Sequence, residues 1–151
     1  MTRSDFLAAA PGCLIETPTL LYCDGYKYQA RCDMIYFTGI CPREDIVTDL
    51  IVLRTDGWMW VAKYFAWDGA SGPAIDTASN MRGSHAHDAL AALMRMGLLP
   101  MVCRFEANNV IRRLMIDDGA WRARADIYRA VLNKTSFWAD PKNQKALFAA
   151  P

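Results

Sequence analysis

Two Asp-Gly pairs in the first half of the chain, Asp24-Gly25 and Asp56-Gly57, each stand between runs of β-prone residues. Such a pair favours a tight reversal, because glycine adopts the positive φ that a two-residue hairpin turn demands and aspartate tolerates it. The stretches "TLLYCDGYKYQ" (19–29) and "DLIVLRTDGWMWVAKYFAW" (49–67) therefore read as two hairpins, with Trp58, Trp60 and Phe65 on the return strand of the second. "CDMIYFTG" (32–39) supplies a further strand, and the proline and charges of "CPRED" (41–45) make a loop.

The second half changes period. Ser79 or Asn80 can cap a helix that runs to about Met96, where Gly97 and then Pro100 end it. Leu90, Leu93 and Met94 share one face of it, which Ala86 and Gly97 extend. A second helix spans about Phe105 to Ile116, with Val110, Ile111 and Leu114 inward and Arg112 and Arg113 outward. "DDG" (117–119) connects it to a third helix, about Trp121 to Leu132, and Phe137 and Trp138 in the tail call for burial. Strands first and helices afterwards predict an α+β fold: an antiparallel sheet from the two hairpins, packed against about three helices. The 151 residues form one domain, with a strand region at about 15–67 and a loop and helical region at about 68–151.

Composition narrows the function classes. With 53% hydrophobic and 22% charged residues the chain is globular, and a net charge of +1 gives no basic face for nucleic acid. Charges interrupt every apolar run before the ~18 residues that a membrane span needs. The apolar run "FLAAA" near the N-terminus is short for a secretory core, so synthesis in the cytoplasm is expected. The cysteines Cys13, Cys23, Cys32, Cys41 and Cys103 are odd in number and lack C-x-x-C spacing, which reads as reduced thiols. Cys32 and Cys41 could meet across a loop.

Chemistry-capable residues concentrate in one region: Asp68, Ser71, Asp76, His85, His87 and Asp88, with both histidines of the chain among them. On a helix, residues two apart are separated by ~200°, so His85 and His87 cannot ligate one metal together, whereas His87 and Asp88, ~100° apart, can border one cleft. The stretch "DGASGP" (68–73) places Gly69 and Gly72 where backbone groups can turn toward one point, as anion or calcium sites require. It serves equally well as a tight strand-to-helix connection. Ser71 lacks the G-x-S-x-G setting of a nucleophile elbow. His87 is expected to hydrogen-bond into the 68–73 loop, either as a core-edge histidine that holds it or as a base that works beside it.

The succession of a strand, "DGASGP", a polar linker and a helix carrying "HAHDAL" (85–90) resembles a small family of unknown function, widespread in tailed bacteriophages and prophages. That family's pattern is D-G-A-S-x-P, then H-D-x-L-Y, then a helix with R-x-x-A-D. "RFEAN" (104–108) and "IYRAVL" (127–132) match its later part loosely, and the likeness covers residues 60–135. It implies a phage-encoded protein made in the bacterial cytoplasm, either a non-enzymatic virion or tail component or an interaction module. Partners would then be other phage structural proteins or further copies of the chain, with neither nucleic acid nor a transmembrane segment. The helix pair also looks like that of secreted phospholipases, which implies the alternative of a calcium-dependent hydrolase. By that likeness His87 is the general base, Asp88 the calcium ligand, and the turn formed by Asp68, Gly69, Ser71 and Gly72 the rest of the ligand site. Asn108 takes the place of the aspartate that orients the histidine. Two positions depart from the patterns: Ala91 stands where tyrosine is expected, and Asn108 is an amide.

Overall fold

The computed structural model describes residues 1–20, 22–23, 28–69, 77–135 and 139–143. The Asp24-Gly25 turn and the tail residues Phe137 and Trp138 lie outside them. The first hairpin is present as β1 (Tyr22–Cys23) paired antiparallel with β2 (Tyr28–Ala30), Tyr22 opposite Ala30. Three more strands follow: β3 (Met34–Phe37), β4 (Ile46–Val47) and β5 (Ile51–Leu53). The Asp56-Gly57 turn, with Gly57 at φ +85°, joins β5 to β6 (Trp58–Val61). The fold is α+β with antiparallel strands, but the strands divide into two sheets where one was expected. The four-stranded sheet runs β3-β6-β5-β4, and β7 (Ala66–Trp67) leaves it to close a three-stranded sheet, β1-β2-β7. The break falls at Lys63-Tyr64, where Tyr64 takes φ +74° and its N–H bonds to the Ala30 carbonyl, swinging the chain from one sheet to the other.

Alternation along the four-stranded sheet gives it two buried faces. Met34, Tyr36, Ile51, Leu53, Met59 and Val61 point toward the helices, in one core with Ala86, Ala89, Leu90 and Leu93. Ile35, Val52 and Trp60 form the opposite row and meet Phe6 and Leu14. The cover on that face is a short helix that the sequence reading did not place, α1 (Arg3–Ala8). Arg54 fastens it by donating to the Phe6 and Ala9 carbonyls at its C-terminal end, at 2.9 and 2.7 Å.

Three longer helices make up the second half: α2 (Ala78–Arg95), α3 (Arg104–Asp117) and α4 (Arg122–Thr135). The start of α2 is two to three residues earlier than expected, because Thr77 is the N-cap and Asn80 Oδ1 accepts its N–H at 3.0 Å from inside the first turn. This helix is the centre of the fold, with every residue from Asn80 to Ala91 buried between sheets and helices. Its polar members must therefore find partners inside the protein. Ile111 and Met115 pack with Ala125, Tyr128 and Leu132 to seal α3 against α4. Among the described residues, no helix is long and apolar enough to cross a membrane. Cys13, Cys32, Cys41 and Cys103 are free thiols, and Cys32 faces the Met34 sulfur while Cys41 faces the Gly39 carbonyl, so Cys32 and Cys41 do not bridge.

Contact between α2 and α3 depends on Gly83. A Cβ there would lie 3.0 Å from Ile111 Cγ1 and 3.1 Å from the Ile111 carbonyl oxygen, so only hydrogen lets the two helices approach this closely. Gly83→Leu is expected to force them apart and to cost about 1–3 kcal/mol or more, because a packed core tolerates added volume poorly. Urea denaturation measures it, and an unchanged midpoint would contradict the close crossing.

Candidate functional site

The site gathers where β7, α2, α3 and α4 meet. Trp67 ends β7, and its indole N–H donates to Ser84 Oγ at 3.0 Å, which pins the strand to the first half of α2. The chain then turns through Gly69, whose φ of +82° is the left-handed conformation that favours glycine. The Asp68 N–H donates to Asp88 Oδ2 at 3.4 Å, linking the exposed turn to α2. Ser71, Gly72 and Asp76 lie outside the described residues, as does the remainder of the loop into which His87 was expected to bond.

His87, Asp88 and Asn108 are brought together, and all three are buried, His87 with 3% of its surface exposed. Its Nε2 lies 2.9 Å from Asn108 Oδ1 and its Nδ1 lies 3.5 Å from Asp88 Oδ1. Asn108 Nδ2 in turn donates to Asn133 Oδ1 on α4 at 2.8 Å. A polar chain thus runs from the Asp68 turn through Asp88, His87 and Asn108 to Asn133 and joins three helices. Asn133 has no motif around it, and only the proximity of α4 to α3 reveals it.

The two histidines point apart, as their helical spacing requires. His85 turns toward the sheets, fully buried, with Nδ1 2.8 Å from the Tyr36 hydroxyl. Tyr36, Phe65 and Trp67 box its ring with centroids 5.8, 5.4 and 4.7 Å away. Its Nε2 has no hydrogen-bond partner among the described residues. Burial pushes its pKa down to about 3, because the charged imidazolium would have to sit unsolvated among aromatic rings. Burial likewise holds the Tyr36 phenol well above its ordinary value. His85 is therefore a neutral core histidine.

A calcium ion wants six to eight oxygen ligands. The described part of the turn offers Asp88 a backbone N–H where such a site would present carbonyl oxygens. Among the described residues, no three His, Cys, Asp or Glu side chains group as a metal site. The described residues by themselves do not form a calcium site, and Ser71 and Gly72 of the expected ligand turn lie outside them. A groove of about 640 Å³ lies between residues 40–47 and 98–103, and none of His87, Asp88 or Asn108 lines it.

No family model matches the chain, and no curated protein or solved structure matches it.

Proposed function

We propose that this chain is a small bacteriophage-encoded protein without catalytic activity, a virion or tail component or an interaction module. In this reading the Asp68 turn and the His87 cluster hold its helices in register. The observation that carries it is that buried His87 meets, across from α2, the buried neutral amide of Asn108, which bonds in turn to Asn133. An amide behind the imidazole supplies no charge to stabilise it when protonated, whereas hydrolytic bases of this type rely on a carboxylate there. The motif resemblance supports the phage origin and, with it, production in the bacterial cytoplasm. Exposed apolar side chains support self-assembly or docking on other phage structural proteins: Trp121 is 82% exposed at the entrance to α4, and Val102 and Ile127 are also largely exposed.

One observation favours the second reading, a hydrolase with His87 as base. The second helix engages Nε2 and leaves Nδ1 directed toward Asp88 and the Asp68 turn, the disposition that the phospholipase likeness implies. The two readings separate in one set of measurements on the parent, His87→Gln and Trp121→Ser. The parent is expected to hydrolyse neither esters nor phospholipid vesicles, with or without calcium, and to self-associate in sedimentation velocity in a manner that Trp121→Ser weakens. His87→Gln is expected to lose about 1–3 kcal/mol of stability through disturbed buried hydrogen bonds. Turnover by the parent that His87→Gln abolishes while keeping its stability would replace the first reading with the second.

A further inference from the structure

We infer that the small sheet β1-β2-β7 is an acid-operated latch on α2: protonation of His85 lets β2 and β7 leave the central helix while α2, α3 and α4 keep their packing. Two neighbouring residues of α2 hold the latch. Ser84 Oγ accepts the Trp67 indole N–H at 3.0 Å and donates to the Met81 carbonyl at 2.9 Å. His85 fills the box that Phe65 and Trp67 make with Tyr36 of β3. A neutral imidazole suits that box. A charged one carries a proton on both nitrogens, and each then needs an acceptor. The Tyr36 hydroxyl can serve Nδ1, but Nε2 has no partner among the described residues, so a cationic N–H would stay buried and unanswered there. Aromatic rings attract a cation, yet they do not replace the water that it loses.

No charged side chain among the described residues offsets this, and burial alone lowers the His85 pKa. Arg82, Cys32, Asp118 and Glu16 act on the Tyr36 phenol, with Arg82 itself paired to Asp118. Further along α2, Asp88 meets the Asp68 N–H and His87. The strand side brings aromatic rings, Phe65, Trp67 and the Tyr28 ring 5.5 Å from Trp67. The sheet is also built to open. Its strands have two, three and two residues, too few to stand alone once their packed face is lost. Tyr64, where the chain crosses into it, holds φ +74°, a strain that opening relieves. Opening hydrates His85 and returns it from about 3 to its ordinary 6.5. Closure is therefore favoured fully above pH 6.5 and ever less as the pH falls toward 3. The same movement takes the Asp68 N–H off Asp88, so acidity reaches the candidate site from the strand side. The latch goes beyond the proposed function and is the same in a structural protein and in a hydrolase.

Native-state hydrogen exchange of the full chain, referred to unstructured peptides at each pH, tests the latch. The reporting amides are Ala30 N–H, bonded to the Phe65 carbonyl, and Tyr64 N–H, bonded to the Ala30 carbonyl. They are expected to open more readily than the amides of α3 and α4, and with little response to dilute urea, because a local opening exposes little surface. From pH 7 to pH 5, above the carboxylate range, their opening is expected to increase about 25-fold. His85→Gln is expected to hold it nearly constant over that window. His85→Leu, which fills the box with no group to titrate, is expected to do the same and serves if glutamine disturbs the fold. Ser84→Ala is expected to raise the opening by one factor at both pH values and to leave the 25-fold ratio intact. Exchange of the Ala30 and Tyr64 amides only together with those of α3 and α4 overturns the latch. So does a parent whose opening is the same at both pH values, or a ratio that survives in either folded His85 variant. Neither activity nor self-association enters the measurement, so its failure is distinct from failure of the proposed function.

Discussion

Lowering the pH from 7 to 5 is expected to remove about 2 kcal/mol of stability through His85 alone, and His85→Gln is expected to remove most of that sensitivity. The ordinary histidine value of 6.5 applies in the unfolded chain, and burial lowers it to about 3 in the folded protein. Between these values the unfolded chain binds a proton that the folded chain refuses. Stability from this group is complete above pH 6.5 and falls steadily as the pH drops toward 3. Burial in the Tyr36–Phe65–Trp67 box is the cause, so the effect needs no carboxylate partner. Glu16, held below its ordinary range by its bonds to Arg113 and the Phe37 N–H against the opposing effect of burial, loses its contribution only near and below its unfolded value of 4.5. The two groups therefore act in different windows. Glutamine keeps a hydrogen-bonding group for the Tyr36 hydroxyl and has no charge to acquire. Guanidinium unfolding of both proteins at pH 7 and pH 5 measures the effect, and equal pH sensitivity in the two would contradict a buried neutral His85.

Arg82→Met is expected to cost about 2–4 kcal/mol, somewhat less than the loss of one partner from a fully buried ion pair. Arg82 is buried on α2, and its guanidinium forks onto the Asp118 carboxylate at 3.0 and 3.1 Å from Nε and 2.7 Å from a terminal nitrogen. It also donates to the Thr17 carbonyl at 3.3 Å, so one side chain ties the central helix to the end of α3 and to the segment beside β3. Removing the cation leaves Asp118, whose side chain is 18% exposed, with a poorly solvated charge. The residual exposure is why the expected cost stays below the buried limit. Adding Asp118→Asn removes that charge and suits the turn before Gly119, so the double variant is expected to recover much of the loss. A double-mutant cycle by thermal melting reports the coupling, and additive losses would show that the pair contributes nothing of its own.

The sequence by itself determined what depends on neighbours along the chain. The Asp56-Gly57 reversal follows from glycine's access to positive φ, and α2, α3 and α4 follow from apolar spacing, with Gly97 and Gly119 ending the first two, within one to three residues at each boundary. The opposite directions of His85 and His87 follow from the helical rotation per residue alone. What a residue meets at the end of its side chain depends on elements distant in sequence, and the tertiary structure alone decided that. Trp60 reads as one more apolar strand residue, but its row is covered by α1, a short helix that Phe6, Leu14 and the Arg54 bonds help to hold against the sheet. The split into two sheets rests on the turn at Tyr64, a residue with no local preference for positive φ, imposed by pairing with Ala30 across the chain. Arg82 looks like a solvent-facing charge until Asp118 and Thr17 converge on it. His87 carried a motif, but the group that engages its Nε2 is an amide on α3, itself bonded to Asn133 on α4 with no motif at all. Local propensity selects elements, whereas desolvated polar groups select partners, and those partners exist only once the helices have packed.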